Sequence, residues 1–126
     1  MRKIITLTSM TILLAATSVY GQKSTEMYIP IGKSPGLSDK YTSIGTVEQI
    51  DMQARTLTCK ETKGVTVQVP VDEKTKIWLD RSGLKLPNRY GSLMDCERGL
   101  LVEVKYRDNE RKPGAVAEWI KVQARE

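Results

Sequence analysis

The sequence predicts an all-β fold: a small barrel of five to six strands with one short helical turn before the penultimate strand. Three observations carry this. Apolar residues recur at every second position in VTVQVPV (65–71) and LLVEVKYR (100–107), the period of a strand with one buried face. Turn-forming residues separate such segments at Met52-Gln53-Ala54, Lys63-Gly64 and Lys112-Pro113-Gly114. Short strands at this spacing, within about 85 residues, favour a closed barrel over a sandwich. Phenylalanine is absent, so the core is built mainly from Val, Ile and Leu.

The elements follow in chain order. Residues 1–21 read as a secretory signal peptide: Arg2 and Lys3 open it, 4–16 carry no charge, and Val19-Tyr20-Gly21 precedes Gln22. The uncharged run is too short for a membrane span, which needs roughly 20 apolar residues. Cleavage after Gly21 is therefore expected to release a periplasmic or secreted protein with no stable membrane anchor. Residues 22–41 form an irregular arm, broken by Pro30, Gly32, Pro35 and Gly36. Tyr28, Ile29 and Ile31 are its expected anchors, with a short edge strand where proline is tolerated.

The barrel domain occupies 42–126. A first strand (42–51) carries Gly45 as an expected bulge or bend. In the second, Leu57 and Cys59 share a face. Val65, Val67, Val69 and Val71 line one face of the third, and 76–80 is a short fourth. The stretch 81–91 reads as a loop. Ser92 then caps a helical turn with Asp95 three residues on, and Gly99 ends it. Leu100, Val102, Val104 and Tyr106 point inward from the next strand, and 115–123 closes the domain.

Composition excludes several function classes. With no histidine, there is no Ser-His or Cys-His nucleophile pair, no histidine base and no His-ligated zinc. Without the leader, 18 basic residues face 15 acidic ones, a net charge of +3. The two signs are interleaved, where a nucleic-acid binder would show a basic stripe with spaced aromatics. No nucleic-acid partner is expected.

The chain resembles the small exported bacterial β-barrel domains of oligonucleotide/oligosaccharide-binding (OB) type, a group of unknown function distantly similar to periplasmic copper-chaperone barrels. The residues that carry the resemblance are Gly45-Thr46-Val47 with Ile50-Asp51, Thr75-Lys76-Ile77, Gly99 to Val104, and Ala117 to Val122. It covers roughly 42–123 and implies an OB-like fold more than an activity. The similar copper chaperones use a histidine, two methionines and a tryptophan on the second and third strands. Here histidine is absent, and no methionine lies between Leu57 and Val71.

Cys59 and Cys96 are the only cysteines. Each is in phase with an inward apolar neighbour, Leu57 or Leu93, and exported cysteine pairs usually oxidise. A Cys59–Cys96 disulfide is the expectation, stabilising by about 4 kcal/mol in the chain-entropy account. The alternative is a soft-metal site in which Met94, Cys96 and Cys59 hold Cu(I). A candidate ligand face combines Trp78, out of phase with Ile77 and Leu79, with Arg81, Arg89 and Tyr90. The competing reading packs Trp78 beneath the arm, and Trp119 in the core. The carboxylates Asp80, Asp95 and Glu97 lack an environment that would separate their pKa values. The function read from the sequence is an exported, non-catalytic β-barrel module, binding or accompanying an envelope ligand or protein and needing no cofactor. A copper carrier is the second reading, and a hydrolase the weakest.

Overall fold

The structure, a computed structural model, describes residues 25–125; the signal peptide and its cleavage site lie outside them. Seven strands form one sheet: β1 (Thr42–Asp51), β2 (Thr56–Glu61), β3 (Thr66–Pro70), β4 (Lys76–Asp80), β5 (Arg89–Tyr90), β6 (Leu101–Tyr106) and β7 (Ala117–Gln123). Their order is β3-β2-β1-β6-β7-β4-β5. All pairs are antiparallel except β4 with β7. The seventh strand is β5, two residues inside the stretch read as a loop, which also holds a 3₁₀ turn at Ser82–Leu84. Among the described residues no helix is long and apolar enough to cross a membrane.

β1 organises the sheet because it is bent. Its first half pairs with β6 (Thr42 to Thr46) and its second with β2 (Gly45 to Asp51). The register slips between Val47 and Gln49; such a bulge increases the local twist and curls the strand. The bulge therefore sits beyond Gly45, where a bend was expected. Gly45 matters for a different reason, since a Cβ there would stand 2.0 Å from the Lys60 carbonyl oxygen. Only glycine lets β2 lie so close. The hairpin that follows is set by Asp51, whose Oδ1 accepts the amides of Gln53 and Ala54 at 3.0 Å each.

The curled sheet wraps one core. Val47, Leu57, Cys59, Val69, Val102, Val104, Ile120 and Val122 are 2 % exposed or less and belong to one cluster. Residues from β3 and β7 meet there although four sheet positions separate the strands. The 3₁₀ turn Leu93–Asp95 plugs this interior with Leu93 and Cys96. As Ser92 predicted, a capping box starts the turn, the Asp95 carboxylate accepting the Ser92 amide at 2.7 Å. Val67, expected inside, is half-buried, and Val65 is 56 % exposed. β3 thus runs from the core out to an open rim.

The outer face of β6, β7 and β4 is covered too. Residues 25–41 lie over it, helical at 25–27 and then a series of turns, without a strand. Their buried apolar anchor is Met27, against Trp78 and Trp119, while Tyr28 is 54 % exposed. The two indoles sit 5.6 Å apart with planes at 31°, a tilted stacking geometry. Glu103 and Lys121 alternate with the inward residues Val102, Val104, Ile120 and Val122, yet both are fully buried beneath the arm and are register neighbours. Glu103 accepts the Gly32 amide (2.8 Å) and the hydroxyls of Ser38 (2.7 Å) and Thr42 (2.9 Å). Gly32 makes its bond from a left-handed turn, φ 81°. The Lys121 ammonium donates to Glu26 at 2.9 Å and Ser34 at 3.2 Å, and stands 4.5 Å from the Trp119 ring centroid. Asp80 accepts the Ile31 amide (2.9 Å), and the Asn88 amide donates to the Met27 carbonyl (2.9 Å). Burying a charge costs several kcal/mol unless its hydrogen bonds are replaced. The arm supplies those replacements, which fixes it to the sheet.

Candidate functional site

The sequence-predicted sites separate in space. Cys59 and Cys96 are both free thiols, so the expected disulfide is not formed. Both point into the common interior, but from different parts of it. Cys59 is paired between Val47 and Val67, whereas Cys96 borders a cavity with Ile50 and Thr58. Facing one interior does not bring two Cα atoms within bridging distance, about 7 Å. Burial pushes the thiols up, to about 11 for Cys59 and about 12 for Cys96. Glu61 raises the first further and Asp95 the second.

The soft-metal set is not assembled either. Met94 is 69 % exposed and borders the Cys96 cavity, from which Cys59 is missing. A metal-binding thiol must be a thiolate, the form that burial disfavours at both cysteines. Among the described residues no group of three or more Cys, Asp or Glu is placed to hold a metal ion.

The proposed stacking face is dismantled by the arm. Trp78 is buried at 4 % exposure with Met27 and Trp119, as the competing reading had it. Arg81 is half-buried, its amide donating to Asn88 at 2.6 Å. Arg89 and Tyr90 remain exposed on β5, opposite Leu79 and Trp78 in register, without an aromatic platform beside them.

What the structure does assemble is a groove on the other side of the barrel. β3 ends the sheet, so among the described residues its second edge has no strand partner. Facing that edge is the β6–β7 connection, with Lys112, Pro113 and Gly114. The space between them is about 940 Å³, within the size range of ligand clefts. Val65, Val67, Pro70 and Pro113 give it apolar surface, and Thr56, Thr66 and Gln68 polar surface.

A buried polar chain lies at its base. Ser43 on β1 donates to the Glu61 carboxylate at the end of β2 and lies 2.7 Å from the Tyr106 hydroxyl at the end of β6. Arg111, from the connection, donates to both Glu61 oxygens at 3.3 Å and to the Asp39 carbonyl at 3.0 Å. Ser43, Tyr106 and Glu61 are 7 % exposed or less. The close approach of β2 at Gly45, which pairs with Glu61, brings that carboxylate under Ser43. Burial pushes the Tyr106 phenol up; its bond to Ser43 opposes this, and the Glu61 charge adds to it.

Sequence reasoning missed the groove, although one signal for it was present. Pro70 sits in an otherwise regular strand, and proline within a sheet is confined to edges and bulges. Ser43, Glu61 and Arg111 carried no comparable signal, because their meeting depends on how the sheet curls.

No protein-family model matches the chain, and no curated protein does. Among solved structures, it is similar to silver(I)-bound CusF, with 15% identity and a TM-score of 0.43 over 64% of this chain and 93% of that one. It is also similar to a copper(II)-bound tryptophan-to-alanine variant of CusF from Escherichia coli, with 15% identity and a TM-score of 0.45 over 64% of this chain and 88% of that one.

Proposed function

We propose that the protein is an exported, non-catalytic binding module of the cell envelope whose ligand lies in the groove between β3 and the β6–β7 connection. The observation that carries this is the unpaired edge of β3 lining an open cleft with a mixed apolar and polar surface. Export rests on the layout of residues 1–21. The absence of histidine from the sequence supports a non-catalytic role, and the interleaved surface charges speak against a nucleic-acid partner. The second reading, a copper carrier, is disfavoured by the burial of both thiols and by the absence of Cys59 from the lining of the Met94–Cys96 cavity.

Both readings are testable on the purified protein. Screening peptide and oligosaccharide panels against its amide NMR spectrum should shift resonances of residues 56, 65–70, 106 and 111–114. Ligand-induced shifts centred on 89–90 or 93–97 would refute the groove. Anaerobic titration with Cu(I) should give no stoichiometric complex; one equivalent bound tightly through Cys96 would restore the carrier.

A further inference from the structure

We propose that the groove takes an extended peptide as an added strand on β3, with an acidic side chain or C-terminal carboxylate at its Arg111–Lys112 end. The inference rests on the groove being the binding site and names the occupant's class. Its first support is the direction of the β3 backbone. The Glu61 amide donates to the Val65 carbonyl, and the Val71 amide to the Arg55 carbonyl. In the constant β2–β3 register these mark the odd-numbered residues of β3 as the ones bonded to β2. Thr66, Gln68 and Pro70 therefore turn their backbone groups to the free edge, inside the groove. Pro70 lies where the ladder needs no N–H, as proline on a sheet edge does. The edge offers amides at Thr66 and Gln68 and carbonyls at Thr66, Gln68 and Pro70. An extended chain satisfies that alternation with its own backbone.

The polar base selects in the same direction. The single proton of Ser43 goes to Glu61, so the 2.7 Å bond between the hydroxyls is donated by Tyr106. A donating phenol keeps its oxygen lone pairs as acceptors for a ligand N–H, and Tyr106 lines the groove. Charge selects the end. Of the ionised side chains lining the groove, Glu61 is already engaged by Ser43 and Arg111. Among the described residues Lys112 is paired only with Glu110, both more than half exposed, a contact of little strength. The lining is left net positive at that end. A base or sugar ring would need a flat aromatic to stack on, and Tyr106, the one aromatic among the described lining residues, is 3 % exposed.

The test uses six-residue peptides of alternating Val and Thr ending in Asp, in Lys or in an amide. The Asp-ended peptide should bind at least tenfold more tightly than the Lys-ended one. It should also slow exchange of the Thr66 and Gln68 amides at least tenfold. N-methylation at alternate peptide positions should abolish binding, and at the intervening positions leave it. Gln68→Pro, which removes an outward amide and spares the β2 ladder, should weaken binding at least tenfold while the protein melts within a few degrees of wild type. Binding by none of the peptides, or equal binding of Asp- and Lys-ended peptides, would overturn the proposal. So would a groove filled by an oligosaccharide with both amides still exchanging, or by a second copy in a concentration-dependent dimer; either leaves the groove itself standing. Ligand-induced shifts confined to residues outside the groove would remove both.

Discussion

The two sides of this barrel solve the same problem differently. On the β6–β7–β4 side, the outward face carries Glu103, Lys121, Trp78 and Trp119, and the arm covers all four. On the β2–β3 side, among the described residues, the sheet ends in an uncovered edge above the Ser43–Glu61–Tyr106 chain. Both sides bury a carboxylate with a hydroxyl partner from another element. Glu103 has Ser38 and Thr42, with Lys121 as its register neighbour; Glu61 has Ser43 and Arg111. The difference lies in what finishes the structure. The arm belongs to the chain and closes its side, whereas among the described residues the edge of β3 in the groove has no strand partner. Backbone left open beside a finished polar base is what the proposed peptide site needs.

The largest expected effect breaks the covered side. Glu103→Ala strands the Gly32 amide and the Ser38 and Thr42 hydroxyls beneath the arm. It should cost about 3 kcal/mol or more, because three donors lose a buried charged acceptor at about 1–3 kcal/mol each, measured by urea unfolding. A loss below about 1 kcal/mol would mean that the arm is not held as described.

The next prediction concerns the interior that both sides share. Each thiol pKa is higher in the folded protein than the ordinary value near 9, so above pH 9 the unfolded chain sheds protons that the native one keeps. Stability should therefore be insensitive to the thiols below about pH 8.5 and fall as pH rises from 9 toward 11. The expected slope is about 1.4 kcal/mol per pH unit for each thiol. Comparison with the Cys59→Ala and Cys96→Ala double variant isolates the effect; parallel pH profiles would contradict it. Native protein should also react slowly with a thiol reagent at pH 7.5.

On the open side, Ser43→Ala should cost about 1–3 kcal/mol, because the Tyr106 hydroxyl and one Glu61 oxygen lose a buried partner. The smallest effect should come from Gln68→Pro, within about 1 kcal/mol of wild type, against about 3 kcal/mol or more for Val69→Pro, which deletes a ladder bond. Equal losses from the two would place β3 inside a sheet and not at its edge.

Much of the barrel was legible in the sequence because period-two alternation reports directly on a strand's core face. Leu57, Val69, Val102, Val104 and Ile120 are all buried as their phase requires. The same rule failed for Glu103 and Lys121. It assumes that the second face meets water, and here a non-periodic arm of Ser, Gly and Pro residues covers it. The cysteines failed for a different reason. Compartment says which thiols tend to oxidise, whereas bonding depends on separation, which phase does not supply. The groove needed the curl of β1 at Glu48 and the contact at Gly45, properties of the assembled sheet.

Residue-resolved amide hydrogen exchange on the unliganded protein tests the contrast between the two sides most directly. The Thr66 and Gln68 amides should exchange quickly while those of Val67 and Val69 in the same strand are protected. The Ile31 and Gly32 amides, bonded to Asp80 and Glu103, should be protected although they belong to no strand. Uniform protection along 66–69, or fast exchange at both Ile31 and Gly32, would contradict the account.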